Sequence, residues 1–452
     1  MLLCPLDYRY GRDDMKAVFS EENKLRTQLL VEAALARAHA EMGTITKADA
    51  ARIASKADLD HVKLEMVKEI EKKTRHDVMA MVRALSEQSG TAGKYVHLGA
   101  TSNDIIDTAT AIQIRGALDM LEEDVKSLLK TLSRMAKKHR RTIMVGRTHG
   151  QFAVPTTFGF KIAGYITELM RYLERISEVR RRICVGKMSG AVGTGAAFGT
   201  KSIEIQDVVM RELGLGAEKA ATQIVCRDRY AETISLLAQL CTSCERYATE
   251  VRNLQRSEIQ EVSEAFDSKN QVGSSTMAQK KNPIVSENIC GLARIVRAFV
   301  MPAMENMVLW HERDLTNSSS ERFILPHVFV LTDEILVKTN EVFSGLVVRP
   351  DKMRENLDRT RGTIMAEPVM MALVEKGMGR QEAHELVRKI SIKAEAEGTL
   401  LIDVLRSSKR VRTYLSKVEL DSAMDPESYI GIAPRIVDEV VQEANEVITR
   451  KG

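Results

Sequence analysis

Apolar residues recur along most of this chain at intervals of three and four, the period of an α-helix that hides one face. Between Thr108 and about His139, the positions Ile114, Leu118, Leu121, Val125, Leu128, Leu132 and Met135 form one continuous stripe. At about 1.5 Å rise per residue, this predicts a helix roughly 45–50 Å long. The same spacing predicts helices over about 157–182, 229–262, 286–300 and 325–345. No run of alternating residues joined by hairpin signals interrupts them, so the expected fold class is all-α. Helices longer than ~25 residues need partners along their length. A long central bundle that also packs against other subunits is therefore expected.

Glycine, proline and polar clusters divide the chain into three helical domains. The first, 1–101, ends in His97-Leu98-Gly99-Ala100-Thr101-Ser102. The central long-helix block spans 102–348 and includes a loop at 267–283. Arg349-Pro350-Asp351 opens the third, 349–452, with Asp351 expected as an N-cap. The glycines between Gly186 and Gly199 follow a helix rather than a strand. They read as a connecting loop, not a dinucleotide site.

Composition narrows the function classes. Among 452 residues, 44% are hydrophobic and 28% charged, the balance of a globular protein, and a net charge of +4 is small for this length. Basic runs such as Arg180-Arg181-Arg182 and Lys137-Lys138-His139-Arg140-Arg141 lack interleaved aromatics, so solvated helix faces are expected rather than a nucleic-acid footprint. No apolar run approaches the ~20 residues of a membrane span, and Met1-Leu2-Leu3-Cys4-Pro5 lacks a signal-peptide pattern. Six dispersed cysteines form no disulfide framework, and a cytoplasmic location follows as the expectation. Cys241 and Cys244 share one seam with Ile234, Leu237, Ala248 and Val251, and read as buried small hydrophobes rather than metal ligands.

Candidate chemistry concentrates in polar stretches bounded by glycine or proline. Gly273-Ser274-Ser275-Thr276-Met277-Ala278-Gln279-Lys280-Lys281-Asn282-Pro283, with Glu287 beyond it, packs hydroxyls, ammonium groups and amides into one segment. That composition suits a loop closing over an anion. Of the histidines, His39, His61, His139 and His384 lie in helical runs as surface or packing residues. His76 stands in Thr74-Arg75-His76-Asp77, His97 precedes Thr101-Ser102-Asn103-Asp104, and His149 lies in Gly146-Arg147-Thr148-His149-Gly150. Glycines flanking His149 allow close approach of backbone to a ligand. In Trp310-His311-Glu312-Arg313-Asp314-Leu315-Thr316-Asn317-Ser318-Ser319-Ser320-Glu321-Arg322, two arginines bracket a hydroxyl-rich helix start. Arginine forks, hydroxyls and helix-start amides favour a phosphate or carboxylate.

The 273–283 segment resembles the aspartase/fumarase superfamily signature Gly-Ser-Ser-x-Met-Pro-x-Lys-x-Asn-Pro, with Ala278 where that pattern has proline. Nearly the whole chain is similar to the adenylosuccinate lyase family. The matching blocks, in order, are Arg9-Tyr10-Gly11-Arg12, Thr74–Asp77, Thr101–Asp104 with Asp107-Thr108-Ala109, Gly146–Gly150, Gln223 with Arg227-Asp228-Arg229, the signature loop, and Trp310–Asp314 with its Ser-Ser-x-Glu-Arg continuation. The resemblance implies a three-domain, all-α homotetramer whose central helices form the tetrameric core, with each active site shared between subunits. It implies release of fumarate from adenylosuccinate and from the succinyl-carboxamide ribonucleotide of purine biosynthesis.

By the same resemblance, Ser274 is the general base and His149 the general acid, while His76 positions substrate and supports charge near His149. Loop amides and Lys280 would stabilise the alkoxide, and Lys280 with Asn282 the carbanion. Arg75 and Asp77 flank the nucleotide, and Arg9, Tyr10, Arg313, Ser318 and Arg322 bind substrate, mostly around its phosphate. Thr101, Ser102 and Gln223 hold the succinyl carboxylates and neighbouring polar groups. No metal or organic cofactor is implied, and the partners are small nucleotides rather than nucleic acid or membrane. Gln279-Lys280-Lys281 is closer to the argininosuccinate lyase loop, which makes that activity the alternative. A non-catalytic structural homologue, of the kind found in some eye lenses, is the alternative from another class.

Overall fold

A computed structural model of the chain describes residues 3–267, 269–277 and 279–449. Ala278 lies outside these described residues. Among the described residues the longest helices are Ser102–Lys138, Phe158–Ile183, Asp228–Leu254 and Thr316–Ser344, and the shorter Ile284–Ala298 fills the remaining expected stretch. The expected stripe is the buried face of the first, with Ile114, Leu118, Leu121, Val125, Leu128 and Leu132 all inside. At 37 residues that helix reaches about 55 Å. It begins at Ser102, a turn and a half earlier than the apolar stripe predicts. Its first turns bury Asn103, Asp104 and Asp107, and ion pairs and hydrogen bonds rather than apolar packing hold the two carboxylates.

The other bounds shift for local reasons. The Asp228–Leu254 helix stops short of 262, and Gln260 adopts φ 55° in the turns that follow. Thr316–Ser344 starts well before Leu325 and carries Pro326 inside it, with Asp314 accepting the Thr316 amide at 2.8 Å to seal the start. Asp351 is not the N-cap: Arg349 holds that place, Pro350 opens the helix Pro350–Asp358, and Asp351 lies in the first turn. There its carboxylate complements the helix dipole. Cys241 and Cys244 are fully buried on their helix, as the seam predicts.

A hairpin was not expected. Strands β1 (Ile143–Thr148) and β2 (Gln151–Thr157) pair antiparallel with Thr148 opposite Gln151. Gly146 sits at a register break and Pro155 inside β2, and these interrupt the alternation that would announce strands. A Cβ at Gly146 would lie 2.7 Å from the Val154 carbonyl, so the bulge requires glycine. Two further pairings are only two residues long, Val185–Gly186 with Gly216–Ala217 and Val262–Ser263 with Val347–Val348.

The chain divides into two compact units, each assembled from three stretches. One comprises Met1–Val125, Tyr172–Cys244 and Gly291–Val337, and its core includes Leu29, Leu35, Ile53, Met81, Leu85 and Ile105. The other comprises Lys126–Arg171, Glu245–Cys290 and Lys338–Gly452, and Val369, Leu373, Val387, Leu401, Leu405 and Val411 pack within it. Among the described residues, no helix is long and apolar enough to cross a membrane.

Candidate active site

In the second unit, the two candidate proton-transfer residues lie on a hairpin tip and a loop. His149 and Gly150 form the two-residue turn between β1 and β2, with φ of 55° and 73°. Two successive positive φ values define the turn that suits strand twist, and they leave the His149 ring exposed. Beneath it, Arg147 forks onto the buried Glu261 carboxylate at 3.0 and 2.7 Å, and its guanidinium lies over Phe152. Asn356 adds a 2.8 Å bond to the same carboxylate. The hairpin is thus anchored at its base while its tip stays open.

The signature loop is organised by its own backbone. Ser274 Oγ accepts the amides of Met277 at 3.0 Å and Thr276 at 3.3 Å. Two N–H groups aimed at one oxygen are what a developing alkoxide needs. Ser275, its neighbour, is exposed, so the two serines are not equivalent. Asn282 Nδ2 donates to the Gly273 carbonyl at 3.1 Å, closing the loop across its neck. A Cβ on Gly273 would fall 1.9 Å from the Lys280 carbonyl, so only glycine fits. Glu264 accepts the amides of Val285 and Ser286 and caps the Ile284–Ala298 helix that follows. Lys280 and Asn282 line a cavity of about 610 Å³, together with Arg252, Arg256 and Lys281. Among the described residues, no hydrogen bond joins His149 to Ser274.

In the first unit, the structure gathers several candidate binding residues. Arg313 Nη1 donates to Gln223 Oε1 at 3.0 Å, and Gln223 Nε2 donates to the Ala191 carbonyl at 3.1 Å. Burial pushes the Arg313 guanidinium below its ordinary value, against the pull of Asp107. Asp77, Ser318 and Arg322 line one cavity of about 380 Å³, with the Arg322 guanidinium 3.8 Å from the Asp77 carboxylate. His76 is the N-cap of the Asp77–Ser89 helix, its Nδ1 accepting the Met79 amide at 3.3 Å. That bond leaves Nε2 at the exposed edge. Arg75 precedes it with φ 54°, ending the Leu64–Thr74 helix. Thr101 and Ser102 start the longest helix, and the Thr101 amide donates to Asp104 at 2.8 Å. Arg9 is exposed and Tyr10 half-buried, just past the short Pro5–Tyr8 helix.

Sequence reasoning missed the buried polar scaffold behind these residues. Arg227 is bidentate to Asp107 at 3.0 and 2.9 Å and also bonds Glu321 at 2.8 Å, joining a loop to two helices. Burial disfavours its charge, yet both carboxylates outweigh that and raise its value well above the ordinary one. Lys187 and Asp104 form a fully buried pair, and Asp104 also accepts the amides of Ser189 and Gly190 at 3.0 Å. His97, at φ 63°, places Nδ1 2.6 Å from the buried Glu32 carboxylate. An ammonium in the apolar run Val185–Met188 was the available signal for Lys187, but nothing local marks its partner.

Comparison with known proteins gives this arrangement a class and then a family. Residues 7–298 match a family model described as lyase, and residues 362–440 match one described as adenylosuccinate lyase C-terminus. Among solved structures, a fumarate lyase from Mesorhizobium is 36% identical, covers 96% of this chain and 98% of its own, and has a TM-score of 0.88. The 3-carboxy-cis,cis-muconate lactonizing enzyme from Pseudomonas putida is 32% identical over 98% and 99% of the two chains, also at 0.88. These define a lyase of the fumarase/aspartase superfamily. An adenylosuccinate lyase from Pyrococcus abyssi is 52% identical over 450 residues, spanning 100% of both chains, and the chain belongs to the adenylosuccinate lyase family.

Proposed function

We propose that the protein is a carbon–nitrogen lyase of purine nucleotide biosynthesis, converting adenylosuccinate to AMP and fumarate. In a parallel reaction it converts the succinyl-carboxamide ribonucleotide to the aminoimidazole carboxamide ribonucleotide and fumarate. The full-length identity to a curated adenylosuccinate lyase carries this reading. Ser274 Oγ takes the proton from the succinyl carbon beside a carboxylate, the C–N bond breaks, and His149 protonates the departing nitrogen. The proton removed and the proton delivered balance, and fumarate leaves with its new double bond. A serine is a weak base unless its alkoxide is stabilised, and the Thr276 and Met277 amides support that role for Ser274. Lys280 and Asn282 take up the carbanion charge spread over the carboxylate.

His76 positions substrate near His149. Arg75 and Asp77 flank the nucleotide, and Arg9, Tyr10, Arg313, Ser318 and Arg322 bind it, mostly around the phosphate. Thr101, Ser102 and Gln223 hold the succinyl end. We further propose a cytoplasmic homotetramer with sites shared between subunits and three domains, 1–101, 102–348 and 349–452. Exposed Ile295, Met301, Met304, Val308, Trp310, Leu315 and Phe323 support the subunit contacts, since so many exposed apolar side chains in one stretch mark an interaction face.

The test follows absorbance loss on adenylosuccinate, with argininosuccinate assayed separately. Turnover of the first alone is expected. Turnover of argininosuccinate alone would establish the other activity, and a folded tetramer inert to both would point to a structural homologue.

A further inference from the structure

We propose that Arg12, held between Asp124 and Asp333, is a positioning residue for substrate, fixing the segment that presents Arg9 and Tyr10. The inference rests on the reading that those two residues touch the nucleotide. Arg12 Nε donates to Asp333 Oδ2 at 3.0 Å, and its Nη2 bonds the other Asp333 oxygen and Asp124 Oδ2, the latter at 2.7 Å. One residue earlier, the Gly11 amide donates to Glu334 Oε2 at 3.1 Å. Gly11 has φ +90°, and a Cβ there would lie 2.3 Å from Val330 Cγ1, so the strand of chain lies flat on the Thr316–Ser344 helix. On its other side, the Arg9 and Tyr10 amides both bond the Pro5 carbonyl, at 2.9 and 3.1 Å. Backbone on each side of Arg9 and Tyr10 is thereby fixed, while the Arg9 side chain stays exposed.

Two carboxylates on a guanidinium that is itself 39% exposed add little stability by their charge alone. Their use here is better explained by a fixed register for the segment. The Asp124 carboxyl is pushed up to about 7 by burial first, then by the hydrogen bond and charge of Asp333, with Glu123 adding and Arg12 opposing. Asp14 faces Arg12 and Glu334 faces Gly11, and the Lys16 side chain, also against Gly11, adds a cation beside them. Arg12 favours the ionised Asp124, so its hold on that carboxylate is strongest once the proton has left.

The experiment measures KM, kcat and AMP affinity for Arg12→Ala, Arg12→Lys, Asp124→Asn and Arg9→Ala. Arg12→Ala is expected to raise KM and the AMP Kd about tenfold while kcat stays within about twofold, and Arg12→Lys to recover part of the loss. Asp124→Asn, which keeps the Asp333 fork and removes one charge from the clamp, should raise KM less than Arg12→Ala does. If Arg9→Ala raises KM and Arg12→Ala does not, the clamp is overturned and the binding reading stands. Unchanged KM and AMP affinity in Arg9→Ala would instead overturn the binding reading, and the clamp with it.

Discussion

Arg227 and Ser274 lie in different units and are held in opposite ways. Arg227 is almost wholly buried, and its fork is filled by carboxylates 120 and 94 residues away in sequence. Ser274 sits in a largely exposed loop, and its oxygen is bonded by amides only two and three residues further on. The contrast separates two tasks. Long-range buried ion pairs set the frame behind Gln223 and Arg313, and removing one member leaves a charge stranded in the interior. Short-range backbone bonds shape the loop, so its chemistry can be deleted without disturbing a core.

The largest effects should divide along this line. Ser274→Ala and His149→Ala are each expected to lower kcat by at least ~10²-fold, with unfolding midpoints unchanged by heat or denaturant. Near-normal turnover in either purified variant would sink the proton-transfer assignment. Arg227→Ala is expected to cost ~3–5 kcal/mol of stability, the range for breaking a buried pair. Urea unfolding checks this, and a loss below about 1 kcal/mol would show that the frame does not depend on Arg227.

The same contrast explains what was legible in the sequence. Ser274, Lys280 and Asn282 stand out as candidates because hydroxyls, ammonium groups and an amide share one contiguous run between Gly273 and Pro283. The long helices were readable because their buried faces repeat every three or four residues. Their starts were not, because Asp104, Asp107 and Asn317 are buried polar residues whose partners include Lys187, Arg227 and Glu321. An apolar period cannot register them, and a partner 83 or 120 residues away has no local signal. The hairpin under His149 escaped for another reason. Its bulge at Gly146 and its Pro155 erase the alternation, although positive φ at His149–Gly150 is the mark of a tight two-residue turn.

Gly273 probes the same division from inside the loop. At Gly273 an added Cβ meets the Lys280 carbonyl, which belongs to the loop itself. Gly273→Ala should therefore displace Lys280 and Asn282, and misplacement near 1 Å can cost ~10²-fold in rate. We expect kcat to fall by about ten- to a hundredfold with little change in Tm. A matching loss of Tm would mean that the loop is part of the frame after all.

The smallest expected effect is a change of slope, and it falls on the first unit. Burial alone would push the His97 imidazole down, but the Glu32 hydrogen bond and charge, with Asp104, outweigh it and hold the group above its ordinary value. A histidine so raised binds its proton more tightly when folded than when unfolded. Its stabilisation is therefore complete below the unfolded value near 6.5 and disappears as pH rises through the folded value. Asp124, also raised, loses its contribution as pH climbs toward 7, so the two overlap. His97→Gln should then be compared with its parent in an Asp124→Asn background, where Asp124 no longer adds to the slope and the remaining histidines are common to both proteins. We expect Tm to fall with pH above 6.5 in that parent and to run flatter with His97→Gln, the two curves converging at high pH. Parallel curves across this range would mean that the His97–Glu32 pair binds no extra proton on folding.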